Sequence, residues 1–258
     1  MALYLKYFSM HLKSEMQYKA SFLFLTAGNF LMQFSTFLGV CFMFFLFNGI
    51  EGFTYAQVLL CFAVVIMAFS FAEMFGENFE RLARMFKNGE FDRALVRPRS
   101  IIFQILAARM SFFRIGATAQ ASIVFIWAVP KSGVVWTWDK ILTLGLMVVC
   151  GSVIFSVLFL IKGTFAFFTT EGLEFMNILT YGGRDHGRYP YSIYGKEVLG
   201  FLTFVIPLAL FQYYPLLYLL DREKSALFML APLFGLLFVL PGYIFFRLGL
   251  RRYKSTGS

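Results

Sequence analysis

Six stretches of this chain are apolar for long enough to cross a bilayer, and that narrows the possible folds more than any motif. A hydrocarbon core roughly 30 Å thick takes about 20 apolar residues as an α-helix. Stretches of that length run near 20–48, 55–77, 101–129, 139–161, 197–220 and 226–248. In lipid, every backbone polar group must find its partner inside the protein, so serial runs of this kind fold as helices. The expected fold is an all-α polytopic membrane protein, a single transmembrane domain over 1–258. A composition 59% hydrophobic and only 14% charged leaves nothing for a soluble domain. The fourth stretch, ILTLGLMVVCGSVIFSVLFLI, is the cleanest. The fifth carries Pro207 and Pro215 and is expected to be kinked or split.

Between the second and third stretches lies the longest polar interruption near the middle of the chain, GENFERLARMFKNGEFDRALVRPRS at 76–100. Reversing direction needs only a few residues, and this segment is far longer. Phe79, Leu82, Ala83 and Phe86 recur at steps of three and four, the spacing of an amphipathic helix. Gly89 is placed to break it, and Phe91, Leu95 and Pro98 read as a second short helical turn and its stop. The spacing fits a helix lying on lipid headgroups and equally a helix that docks a cytoplasmic partner.

Residues 3–19 alternate lysine with apolar residues and show no cleavage site after an apolar core, so they are expected to stay as an interfacial helix. Leu5, Phe8, Leu12 and Met16 share one face, and Lys6 and Lys13 flank it, placed to reach anionic lipid. Six alternating spans with the N-terminus inside put sixteen basic residues on inner segments and four (Lys131, Lys140, Arg222, Lys224) on outer loops. That bias predicts both termini on the cytoplasmic side. It also makes the net charge of +9 a matter of lipid topology, with no reason to expect nucleic acid as a partner. The stretch 162–196 admits two readings. In the favoured one it is an inner interfacial helix followed by a basic loop, because Glu171, Glu174, Arg184, Asp185 and Arg188 are costly in a bilayer. In the other, 166–189 is a short fifth span and 197–220 is a re-entrant outer pair.

Catalytic signals are absent. No GxxxxGK[ST] phosphate loop and no GxSxG occurs, and neither His11 nor His186 has a second metal-type ligand at helical spacing. Cys41, Cys61 and Cys150 stand singly in apolar runs and read as core residues. Charges inside the spans carry more information. Glu73 lies near the inner end of the second stretch, and Arg109 and Arg114 within the third. Intramembrane charges face a bundle interior or a wet cavity and pair, so these three are expected to form an ion pair or to line a substrate path. Lys162, ending the fourth span, is expected to snorkel.

The order of these features carries a resemblance. GEFDRALVRP at 89–98, GRYPYSIY at 187–194, LTFVIPLALFQYYP at 202–215 and the ending RLGLRRYKSTGS resemble the permease subunits of ABC-2-type exporters. The likeness is to the small six-span branch that pairs with a related permease and a separate ATPase. It implies that 78–98 is the coupling-helix loop. Phe79, Leu82, Phe86, Phe91 and Leu95 would be knobs in the ATPase groove, and Glu80, Glu90, Asp92, Arg93 and Arg97 its polar rim. Pro98 would start the third span. The resemblance also implies two ATPase copies that hold ATP and Mg, and a second related permease or a second copy of this chain. No cofactor or metal is expected on the chain itself. A bacterial inner-membrane location and efflux of an amphiphile such as a drug, antibiotic or lipid follow as further expectations. An ATP-independent carrier and a membrane-embedded lipid-modifying enzyme are the competing classes.

Overall fold

The computed structural model describes residues 2–46, 52–169 and 173–253; the Glu171 of the charge argument and residues 254–258 of the quoted ending fall outside them. Among the described residues the regular elements are helical throughout. Helix α1 (Ala2–Gln17) leads into α2 (Lys19–Leu46), and α3 (Tyr55–Gly76) follows. A tight turn at Glu77–Arg81 continues α3 into α4 (Leu82–Lys87), and α5 (Glu90–Leu95) comes next. Beyond lie α6 (Ile101–Ala108), α7 (Ile115–Ala128), α8 (Trp138–Thr164) and α9 (Tyr181–His186). The chain ends through α10 (Lys196–Phe204), α11 (Leu208–Leu219), α12 (Ala226–Gly235) and α13 (Val239–Arg252).

Helix α3 is the axis. Thr54 caps it reciprocally: its hydroxyl accepts the Gln57 N–H, and the Gln57 side chain accepts the Thr54 N–H. From Val58 to Ile66 it is buried on every side, which its all-round apolar sequence allows. Helices α7 and α8 pack along it, α2 lies outside α7, and α11, α12 and α13 pack around α8. The rod Tyr55–Lys87 has 33 residues. At 1.5 Å per residue it measures about 50 Å, so its last turns project beyond a core of roughly 30 Å.

Five helices are long and apolar enough to cross a membrane: Lys19–Phe45, Tyr55–Lys87, Phe112–Lys131, Trp138–Phe167 and Ala226–Arg252. They match four of the expected stretches closely and correct a fifth. The stretch 101–129 is not one span, because it breaks at Arg109–Ser111, where Arg109 is extended. Three side chains from elsewhere hold the break open. Asn78 donates to the carbonyls of Ile105 (3.1 Å) and Arg109 (2.6 Å), ending α6. Ser111 donates its N–H to the Met74 carbonyl and its hydroxyl to Glu77. Glu15 accepts the N–H of Phe112 at 3.3 Å, placing a carboxylate at the start of the helical run that leads into α7. Burial raises the Glu15 pKa, while the backbone N–H bonds and Arg109 pull the other way. Helix α6 lies instead against α1, with Tyr4 and Tyr7 packed on Phe103 and His11 bonded to the Ala107 carbonyl.

The expected fifth span, 197–220, also departs from a simple crossing. Helices α10 and α11 meet at 112°, so α11 runs partly back the way α10 came. The reversal falls at Pro207, the first of the two prolines. Pro215 sits inside α11.

Nor does α9 sit at the rim beside the 76–100 segment, as the favoured reading of 162–196 had it. Going along the chain, Tyr181 bonds Glu80 and packs on Phe69, Gly183 abuts Phe155, and Gly187 abuts Val65. Gln212 then donates to the carbonyls of Gly187 and Tyr189. These partners lie successively further from the C-terminal end of α3, so 181–189 climbs through the depth of the bundle.

Candidate functional site

The polar segment after α3 forms two short helices: α4 continues the rod, and α5 turns back against it. Gly89 joins them with φ 64°, a left-handed value that costs other residues steric strain. The fold sorts the expected docking residues into two layers. Phe79, Leu82, Phe86 and Phe91 face inward and are buried; Phe91 is fully enclosed, at 0% exposure. They are therefore not knobs presented to a partner, which corrects that expectation. An amphipathic pattern marks one apolar face without saying whether its own chain or another protein covers it. Here the chain covers it.

Phe86, Phe91, Phe167 and Tyr253 form a closed aromatic cluster, with centroids 4.7 Å (Phe86–Phe167), 4.8 Å (Phe86–Phe91) and 4.8 Å (Phe91–Tyr253) apart. Tyr253, just past α13, also donates its hydroxyl to Asp92 at 2.9 Å. Burial, followed by that bond, pushes the Tyr253 phenol up to about 12, so it stays a donor at any ordinary pH. The segment 78–98 is thus clamped to the end of the last span and to the chain leaving α8. Gly163 of α8 completes the clamp, because a Cβ there would collide with the Phe79 carbonyl.

The outer layer is what a partner would meet. Leu95 (40% exposed), Val96 (84%), Arg97, Pro98 and Arg99 form its tip. Glu90, Arg93 and Arg97 line a polar cleft of about 270 Å³ with Met85 and Gln104. Pro98 starts no span: it stands in an exposed bend ahead of α6. Glu80 is withdrawn from the rim altogether. It pairs with Lys162 at 3.0 Å and accepts the Tyr181 hydroxyl at 3.2 Å. Lys162 does not snorkel, since it also reaches Asn177 at 2.6 Å.

Glu80 belongs to a stripe, Glu73, Glu77 and Glu80, on one face of the central rod. Arg114 reaches Glu73 at 3.1 Å and Glu77 at 3.9 Å, and it donates to Asn29 of α2 at 3.4 Å. Glu77 also faces Arg81 at 3.8 Å. The Glu73 side chain is only 4% exposed and that of Arg114 23%, so the pair is largely withdrawn from solvent. Of the three charges grouped from the sequence, the fold brings Glu73 and Arg114 together and leaves Arg109 outside. Arg109 is exposed beside Glu15 and Tyr18, where α1 turns into α2.

Sequence reasoning passed over Val96, Tyr181, Lys162 as an ion-pair partner and Tyr253. The i, i+4, i+7 spacing of the three glutamates was a readable signal for their shared face. Nothing local marks Tyr253, which is 161 residues from Asp92. Among the described residues no group of His, Cys, Asp and Glu is placed to hold a metal ion.

A family model described as ABC-2 family transporter protein matches residues 30–257. No curated protein and no solved structure matches the chain significantly.

Proposed function

The chain belongs to the ABC-2 transporter family, a family of multi-pass membrane components that work with ABC ATPases, and on that premise we propose that it is the permease subunit of an exporter. ATP and Mg²⁺ are held by two copies of a separate ATPase, one docked on this chain and one on its partner. The partner is a related permease or a second copy of this chain. The assembly sits in a bacterial inner membrane with both termini inside and moves an amphiphile outward. Neither ATP hydrolysis nor nucleic-acid binding belongs to this chain.

One observation carries the reading: a segment projecting past the membrane has an apolar, basic tip turned outward and an aromatic back locked to the spans. Leu95 and Val96 offer the ATPase a small apolar contact inside a rim of Arg93, Arg97 and Glu90. Behind them Phe86, Phe91, Phe167 and Tyr253 transmit a push to α8 and α13, because packed rings move together rather than deform. Closure of the two ATPases would then shift packed helices between inward- and outward-open arrangements. The climb of 181–189 favours a topology in which the chain from 173 to 189 makes the fifth crossing and α10–α11 dips in from the outside.

The decisive variants are Leu95→Asp and Val96→Asp. Co-purification in mild detergent should lose the ATPase by about tenfold or more, since a charge in an apolar contact costs at least 1.4 kcal/mol. The bundle's melting temperature should not move. Phe91→Asp is the contrast: it buries a charge in the aromatic cluster and should unfold the segment itself. An ATPase that stays fully bound to the Val96 and Leu95 variants ends this reading of the surface.

A further inference from the structure

One cluster of charges is not absorbed by the coupling surface. Arg184 and Arg188 both bond the same oxygen of Asp185, at 2.8 and 2.6 Å. The Arg184 guanidinium lies over the Phe69 ring, 4.9 Å from its centroid. Phe69 is fourteen residues into α3, about 21 Å from its outer end, and Val65, which Gly187 abuts, is at about 15 Å. The cluster therefore sits inside the hydrocarbon depth. Glu73 has Arg114 and Glu80 has Lys162, and Arg184 also acts electrostatically on Glu73, so Arg188 is the member of the pair that depends on the shared carboxylate. Two guanidiniums share one carboxylate, and the Nε of Arg188 is buried without a hydrogen-bond partner. Asp185 is nonetheless 45% exposed, and His186 beside it is exposed as well, so the cluster opens on the surface of the bundle and is not sealed in its core.

Charged groups at this depth do not face lipid; they face protein or a wet path. A guanidinium that shares its one carboxylate and keeps a buried, unpartnered Nε attracts an anion, and its fork fits the paired oxygens of phosphate or carboxylate. We propose that Arg184 and Arg188, bridged by Asp185, form an anion subsite that holds the acidic headgroup of an amphiphile crossing the bilayer. This rests on the permease reading and adds to it the charge of the transported molecule.

The test uses the full-length chain in a neutral detergent, with binding read by native mass spectrometry. The probes are lysophosphatidic acid, lysophosphatidylcholine of the same acyl chain, and inorganic phosphate alone. Lysophosphatidic acid should bind about tenfold more tightly than the choline lipid, the scale of one charge-assisted bond. Arg188→Gln should bring the two to parity and Arg188→Lys should restore part of the gap. Asp185→Asn, which removes the competing carboxylate, should widen it. ATPase retention reports separately on the coupling surface and should not change in any of these. Equal binding of the two lipids, an unchanged preference in Arg188→Gln, or phosphate alone binding as well as the acidic lipid overturns the proposal. Loss of the ATPase from the parent chain, with the lipid preference intact, would count against the permease reading only.

Discussion

At the scale of single residues, the fold turns on a few polar side chains that reach into backbone or charge left unmatched elsewhere. Arg114 is the clearest. It starts the third crossing and spends its guanidinium on Glu73, Glu77 and Asn29, which belong to two other helices. Removing one member of a buried pair leaves the other charge stranded, at a cost of about 3–5 kcal/mol. Lys131, at the opposite end of the same crossing, only lies over the Trp127 ring at 3.7 Å. An exposed contact of that kind is worth about 1 kcal/mol or less. Thermal unfolding in detergent should therefore show a large drop for Arg114→Ala and almost none for Lys131→Ala. Comparable drops would remove the special standing of the Glu73 pair. The sequence supplied both partners of this pair, because a charge in an apolar run is conspicuous. It left Arg109 wrongly grouped with them, because apolar context alone does not say on which side of a chain break a residue falls.

At the scale of elements, small residues decide how closely helices approach. Gly235, Gly242 and Gly249 recur every seventh residue along α12 and α13 and face α8. A Cβ at these positions would strike Ile154, Val157 and Phe167 respectively. In lipid, where apolar side chains gain nothing by leaving the solvent, close van der Waals contact of this kind holds helices together. Gly242→Leu should pry the last span from α8 and disturb the clamp at Tyr253, lowering ATPase-coupled transport while leaving the Leu95–Val96 tip able to bind. Transport at the parental rate in that variant would show that the last span does not carry the push. The glycine repeat was legible in the sequence as a spacing. Its meaning required knowing that α8 is the neighbour.

At the scale of the whole molecule, the arrangement separates the Glu73–Arg99 end, rich in matched charges, from an opposite end with its own latch. There Lys140 of α8 meets Asp221 at 2.7 Å, and Tyr218 donates to Asp139 at 2.7 Å. These bonds tie the start of the fourth crossing to the end of α11. Single cysteines introduced after Cys41, Cys61 and Cys150 are replaced should report the two sides. A membrane-impermeant thiol reagent added to intact cells should label Lys224→Cys and spare Val96→Cys until the membrane is opened. The reverse pattern would invert the molecule and remove the coupling surface.

The sequence alone determined that this chain crosses a bilayer several times as helices, since apolar runs of about 20 residues fit the hydrocarbon core as helices that satisfy their own backbone groups. It also marked where the long polar segment lies and that Gly89 divides it. Tertiary structure alone decided where the third crossing begins. The run from 101 to 129 is apolar enough to pass as one helix. Asn78 and Glu15 end it at Arg109–Ser111 by satisfying backbone groups the break sets free, while Glu77 holds the Ser111 hydroxyl. The same holds for the aromatic residues of the segment 78–98, which Tyr253 and Phe167 enclose from far along the chain. Local pattern records which faces are apolar; only packing records what covers them.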